Sequence, residues 1–160
     1  MKLITKRHVL IVILLAGTVV RFVNLPQNPP SLNWDEVSHG YNAYAILKTG
    51  QDEWGKSWPL IFRAYGDYKL PVYIYTTVPF VWAFGLNAWA VRLPSVISGI
   101  IAIFLFYLLV NKLTKDRFLG ILAAFLYALE PWTVVLSRPA LEANFANSLI
   151  LGGALFFFKS

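Results

Sequence analysis

Cysteine is absent from the 160 residues. Disulfides and cysteine-ligated metal sites are therefore excluded. Charge is scarce too: Asp, Glu, Lys and Arg make up 14% of the chain, against 58% hydrophobic residues. A soluble domain of this length rarely has that balance, and a multi-span membrane protein does. Histidine occurs only at His8 and His39, too far apart in sequence to form a ligand pair on one element. No metal ligand set and no cofactor are indicated, and a need for a divalent metal stays open. The net charge of +6 does not point to nucleic acid, because the basic residues are scattered or flank hydrophobic runs. There is no internal repeat and no low-complexity tract.

What is present is a series of hydrophobic runs. The first spans about residues 9–25, behind Lys2, Lys6 and Arg7. A cleaved signal peptide opens the same way. Arg21 and Phe22 stand where small residues would mark cleavage, which favours an uncleaved signal-anchor helix with Arg21 snorkelling to the far interface. Further runs cover about residues 88–110, 118–136 and 143–158. Each approaches the 20 or so residues a span needs. The expected fold is all-α, a polytopic membrane helical bundle, read as the N-terminal part of something longer.

Residues 70–86 are apolar and aromatic but carry Pro71, Thr76, Thr77 and Pro79. Charge bias decides their place. Lys2, Lys6 and Arg7 put the N-terminus in the cytoplasm by the positive-inside rule. The next short basic loop, Lys112, Lys115 and Arg117, returns to that side only if residues 70–86 do not span. They are therefore expected to form an interfacial or half-inserted helix. The outer loop then covers about residues 26–87 and holds five acids against four bases. Long loops of this kind commonly carry function. The chain is thus expected in the cell membrane, multi-pass, with this loop extracytoplasmic.

Within the loop, Asn33 and Glu36 form a capping-box signal. A helix is expected from Trp34 to about Lys48, closed by Gly50. Asp35, Ser38, His39 and Asn42 share one face; Val37, Tyr41, Tyr44 and Ala45 share another. That pattern fits an amphipathic helix lying on a membrane or on the protein's own spans. The adjacent acids Asp35 and Glu36 admit a plain role: Glu36 closes the cap and Asp35 complements the helix dipole. Acids near lipid are expensive, which also makes them functional candidates. Lys69, Arg92 and Arg138 fall at one depth on the same side. They suit either lipid anchoring or an anionic headgroup. Arg138 and Glu142 are four apart, as in a helical ion pair. Glu130, just before Pro131, is expected near a helix end.

Taken in order, Trp34-Asp35-Glu36 with Tyr41, Lys69-Leu70-Pro71, Arg92-Leu93-Pro94-Ser95 and Ser137-Arg138 resemble the N-terminal part of a GT-C glycosyltransferase. The pattern is most similar to bacterial relatives of the protein O-mannosyltransferases and aminoarabinose transferases. The resemblance covers essentially the whole chain. It departs where the family's lysine is commonly followed by two prolines and this one by Leu70-Pro71. It implies a membrane glycosyltransferase moving a sugar from a polyprenyl-phosphate donor to a hydroxyl of a lipid, glycan or protein. It also implies Asp35 as the catalytic acid of a catalytic pair, Glu36 as its partner that helps position the acceptor or the acid, and Lys69, Arg92 and Arg138 as donor-phosphate contacts. This length of chain is expected to be inactive alone. The alternative is a non-catalytic transport or scaffold protein that binds anionic headgroups.

Overall fold

The structure, a computed structural model, describes residues 3–158. Lys2, the side chain of Lys6, Lys159 and Ser160 lie outside the described residues. Seven helices and one two-stranded hairpin are described: α1 (Leu3–Phe22), α2 (Trp34–Thr49), β1 (Phe62–Arg63), β2 (Tyr68–Lys69), α3 (Pro71–Phe84), α4 (Ala88–Thr114), α5 (Arg117–Leu129), α6 (Pro131–Ser137) and α7 (Glu142–Phe157). The all-α expectation holds, with the small hairpin as an addition. The chain divides into two compact units. One comprises the chain up to Val23, Val96–Ser137 and the chain from Ala143 on; the other comprises Asn24–Ser95 and Arg138–Glu142.

In the first unit α1 packs on α5 around Ile13, Ile103, Ala124 and Ala128, with Leu10, Leu14 and Tyr107 closing the cluster. Arg21 departs from expectation. Its side chain is fully buried, and Nη1 donates to the Ala128 carbonyl at 2.8 Å and to the Gly17 carbonyl at 3.1 Å. It does not snorkel; it satisfies a carbonyl at the C-terminal end of α5, where helix acceptors run out of partners. The run expected as one span over residues 118–136 is bent. It breaks at Glu130–Pro131 into α5 and α6, inclined at 58°. Pro131 has no N–H to continue the ladder. Glu130 Oε2 instead accepts from the Thr133 N–H at 2.7 Å.

Among the described residues α4, with 27 residues, is the one helix long and apolar enough by itself to cross a membrane; α5 with α6 counts as a second if the bent pair is one span. At 1.5 Å per residue α4 is about 40 Å long, and α3, with 14 residues, about 21 Å. The latter falls short of a hydrocarbon core of about 30 Å.

In the second unit α2 is built as its sequence demands. Asn33 and Glu36 form a reciprocal capping box, and Gly50 closes the helix at φ 70° with its N–H on the Ile46 carbonyl. Its buried side joins polar residues to the apolar Ala43 and Ile46. Ser38, His39 and Asn42 are buried, while Val37, Tyr41 and Tyr44 are exposed. The buried polar groups find partners: Asn42 Nδ2 donates to Glu53 Oε1 at 3.0 Å, and its Oδ1 accepts from the Glu53 N–H. Helix α3 runs parallel to α2. Lys69 lies by Asp35, the Tyr73 ring by His39 at 4.9 Å, and Ile74 and Val81 share a core with Ala43, Ile46, Phe62 and Ala90. Gly40 lets α4 approach: a Cβ there would sit 2.6 Å from Val91 Cγ2. Val91 is fully buried and stiff at χ1, so it cannot yield cheaply. Gly40→Val should therefore lower stability by about 1–3 kcal/mol, read as a fall in melting temperature in detergent.

Candidate functional site

The site lies wholly within the second unit and starts from two adjacent acids with opposite fates. Glu36 is 0% exposed and Asp35 is 47% exposed. Position on the helix explains the split. At the third position after the cap, Glu36 turns back toward Asn33, whose N–H donates to Oε2 at 3.0 Å. Asp35, one residue earlier, points off the cap.

Glu36 meets Arg92 of α4 in a two-pronged pair, Nε to Oε1 at 2.8 Å and Nη2 to Oε2 at 3.2 Å. Oε1 also accepts from the Ala140 N–H at 2.9 Å. Each carboxylate oxygen thus holds two hydrogen bonds. The guanidinium is equally full. Nη1 donates to the carbonyls of Leu25 at 2.7 Å and Pro29 at 3.0 Å, and Nη2 to Ser31 at 3.0 Å. All five N–H donors of Arg92 are engaged. For Arg92 this revises the expected phosphate contact. Arg92 has no donor left for a phosphate, and Glu36 has no lone pair left for a proton. Both lock the Leu25–Ser31 segment, the start of α2, the start of α4 and the Ala140 turn to one another. Arg138 grips the same segment, Nε donating to the Asn28 carbonyl at 3.0 Å, and is 8% exposed. Burial first, and the nearby Arg92 charge second, lower its pKa below the ordinary arginine value.

The accessible acid has a cation beside it. Lys69 Nζ lies 2.8 Å from Asp35 Oδ1 and 3.2 Å from Asp67 Oδ2. The hairpin delivers it: Phe62 pairs with Lys69 and Arg63 with Tyr68, around a turn with Gly66 at φ 77°. The Lys69 side chain is 12% exposed. Its pKa is raised, chiefly by the hydrogen bond to Asp35. Its ionic contribution is therefore complete below the ordinary lysine range and lost only as pH rises through the raised value. Asp67 is shifted down, first by the Tyr68 backbone N–H and then by Lys69. Its contribution is present above the ordinary aspartate range and lost as pH falls below it.

A second support was not assembled by sequence reasoning. His39 Nδ1 lies 3.1 Å from the Ala140 carbonyl and Nε2 lies 2.9 Å from Glu142 Oε1. The same Oε1 accepts from the Leu70 N–H at 3.1 Å. Glu142 thus fixes the residue after Lys69 to α2. The Arg138–Glu142 spacing gave no hint of this, because the partners are 72 and 103 residues away. Among the described residues no three His, Asp or Glu side chains converge to hold a metal ion.

Chemically, the site is an accessible carboxylate beside a protonated amine, at the shared N-terminal end of two parallel helices whose dipoles favour negative charge. The scaffold below it is buried and fully hydrogen-bonded. The sequence matches the dolichyl-phosphate-mannose-protein mannosyltransferase family over residues 11–158, and the chain belongs to that family. No curated protein and no solved structure matches the chain.

The framework role has a measurable consequence. Removing one partner of a buried pair leaves the other charge uncompensated, at a cost of about 3–5 kcal/mol. Arg92→Ala should therefore collapse folded yield and melting temperature in detergent. Asp35→Asn, at a half-exposed position, should leave both within about 1 kcal/mol of the parent. An unchanged melting temperature for Arg92→Ala would remove the framework role.

Proposed function

We propose that the chain carries the acceptor-activating site of a membrane mannosyltransferase that uses a polyprenyl-phosphate-linked sugar. Asp35 is the base. It takes the proton of an acceptor hydroxyl as the oxygen attacks the anomeric carbon. The bond from that carbon to the phosphate oxygen breaks, and the lipid phosphate leaves with the electron pair. The transition state is oxocarbenium-like, so the proton moves late and an ordinary carboxylate suffices. Lys69 faces the leaving phosphate. An ammonium has three N–H donors, and Asp35 and Asp67 occupy two. The third meets the charge that grows on the phosphate. Glu36, Arg92 and Arg138 are positioning residues that hold the Asp35 helix and its neighbours in place.

The observation that carries this reading is the pairing of the one exposed acid of the Asp35–Glu36 dyad with Lys69 at 2.8 Å. Membership of a mannosyltransferase family supports mannose as the sugar and a protein as the acceptor. The competing reading, a scaffold that binds headgroups without chemistry, would draw on the same two residues as a plain surface ion pair.

Two substitutions separate the readings. Asp35→Asn should slow transfer by about a hundredfold or more at unchanged fold, because an amide does not take up the acceptor's proton. Lys69→Ala should weaken donor use by roughly ten- to a hundredfold, the worth of a charge-assisted bond of about 1.5–3 kcal/mol. The assay is transfer from a polyprenyl-phosphate sugar in membranes holding the full-length product. Wild-type turnover in both variants would leave only the scaffold.

The reading also fixes a topology. α1, α4, the α5–α6 pair and α7 each cross the membrane, with the N-terminus and the Lys115 turn cytoplasmic and residues 26–87 outside. The absence of cysteine makes single-cysteine labelling clean. A cysteine in place of Lys115 should resist an impermeant maleimide added outside, and one in place of Asn87 should react. The reverse pattern would make α3 part of a span.

A further inference from the structure

The second unit has a groove far from the Asp35–Lys69 pair. A cavity of about 590 Å³ opens between the C-terminal end of α2 and the middle of α3, against Ile46, Leu47, Gly50, Trp58, Tyr75 and Val78. Its base is about 16 Å from Asp35, the eleven residues to Ile46 at 1.5 Å each.

Trp58 forms one wall, and the chain holds it there against its own preference. Its φ is +43°, a region that bulky side chains rarely adopt. Three contacts fix it. The Trp58 N–H donates to the Gly50 carbonyl at 3.0 Å. The indole stacks on Tyr75 at 6.1 Å and 12°. The Tyr75 hydroxyl donates to the Pro59 carbonyl at 2.9 Å. Gly50 makes room, since a Cβ there would lie 3.3 Å from the indole nitrogen. Even so, the side chain stays 65% exposed, and Leu60 beside it is 82% exposed. A tryptophan both clamped and uncovered marks a contact surface whose partner lies outside the unit.

The chemistry of the walls selects the partner. No charged side chain lines the groove. The hydroxyls are committed: Thr49 donates to the Ala45 carbonyl at 2.9 Å, and Tyr75 to Pro59. A phosphate would find no charge there, and a sugar or a peptide only the indole N–H of Trp58 to orient it. A hydrocarbon chain asks for none. The groove also flanks α3, which leads after three residues into α4, the helix fit to cross a membrane. Beyond the groove α3 exposes Trp82 and Phe84, residues suited to an interface. We propose that this groove seats one acyl chain of a bilayer phospholipid, with Trp58 as its fixed wall. The seat ties the far end of α2 and the middle of α3 to the bilayer, while Asp35 and Lys69 lie at the other end of the two helices.

The test is photolabelling of the full-length protein in nanodiscs of phosphatidylethanolamine and phosphatidylglycerol. A trace phospholipid carries a diazirine in one acyl chain, and labelled peptides are read by mass spectrometry. Labels should concentrate on the Tyr75–Pro79 and Gly50–Trp58 stretches. Trp58→Gly accepts the same φ without strain and should cut that labelling several-fold. Val78→Asp should do the same without touching the Trp58 clamp. Circular dichroism should stay unchanged in both. Labels spread evenly along α3, indifferent to both variants, would overturn the seat. So would displacement of the label by added polyprenyl phosphate but not by excess phospholipid, which would assign the groove to a donor tail.

Discussion

The second unit hangs on one buried ion pair. Glu36 and Arg92 lie 56 residues apart and exchange two hydrogen bonds at zero exposure. Such a pair is strongly penalised by desolvation unless every remaining donor and acceptor is filled. Here they are filled, by three backbone carbonyls on Arg92 and two backbone N–H groups on Glu36. The consequence is geometric. The segment that follows α1, the first turn of α2, the start of α4 and the turn at Ala140 converge on these two side chains. None of these segments could shift without exposing a buried charge to an apolar setting. Asp35 inherits its place from this lock, since it is bonded through the chain to Glu36.

The lock also explains why two adjacent acids divide their labour. An acid that holds four hydrogen bonds is spent as a base, and one that is half exposed is not. The proposed chemistry needs both kinds: a rigid residue that aims the helix and a reachable one that takes a proton. The Asp35–Lys69 contact balances differently. It sits where water reaches one partner more than the other, so its contribution to stability is small. Its use lies in placing an ammonium within reach of an anion.

How much of this could be read beforehand depends on the distance over which each feature is decided. The α2 boundaries were legible because caps are local: Asn33, Glu36 and Gly50 act within one turn of the helix ends. The break at Pro131 is legible in part: Glu130 before a proline suggests a helix end, yet the apolar run on either side of it looks continuous. Arg21 was misplaced because snorkelling and carbonyl-capping look alike in sequence, and only the packing of α1 on α5 decides between them. Asp35 and Lys69 were both singled out, but their contact depends on a hairpin of two-residue strands that carries almost no sequence signal. His39 with Glu142 was out of reach, because it joins residues 103 apart.

The exposed aromatic side of α2 suits a helix beside a bilayer, the setting the family implies. In water, a helix that exposes Val37, Tyr41 and Tyr44 while burying Ser38, His39 and Asn42 would be upside down by the hydrophobic effect. Beside a bilayer that driving force is weak, because apolar side chains already have an apolar neighbour. What must be avoided is an unsatisfied polar group facing lipid. The arrangement that does so turns polar side chains inward, onto Glu53, Glu142 and backbone carbonyls, and leaves the aromatic face outward. The sequence periodicity is the same for both orientations, so amphipathicity alone names two faces and does not say which is inside. The membrane setting shown by the family supplies the missing term, and it makes the buried polar face of α2 the side on which the site is built.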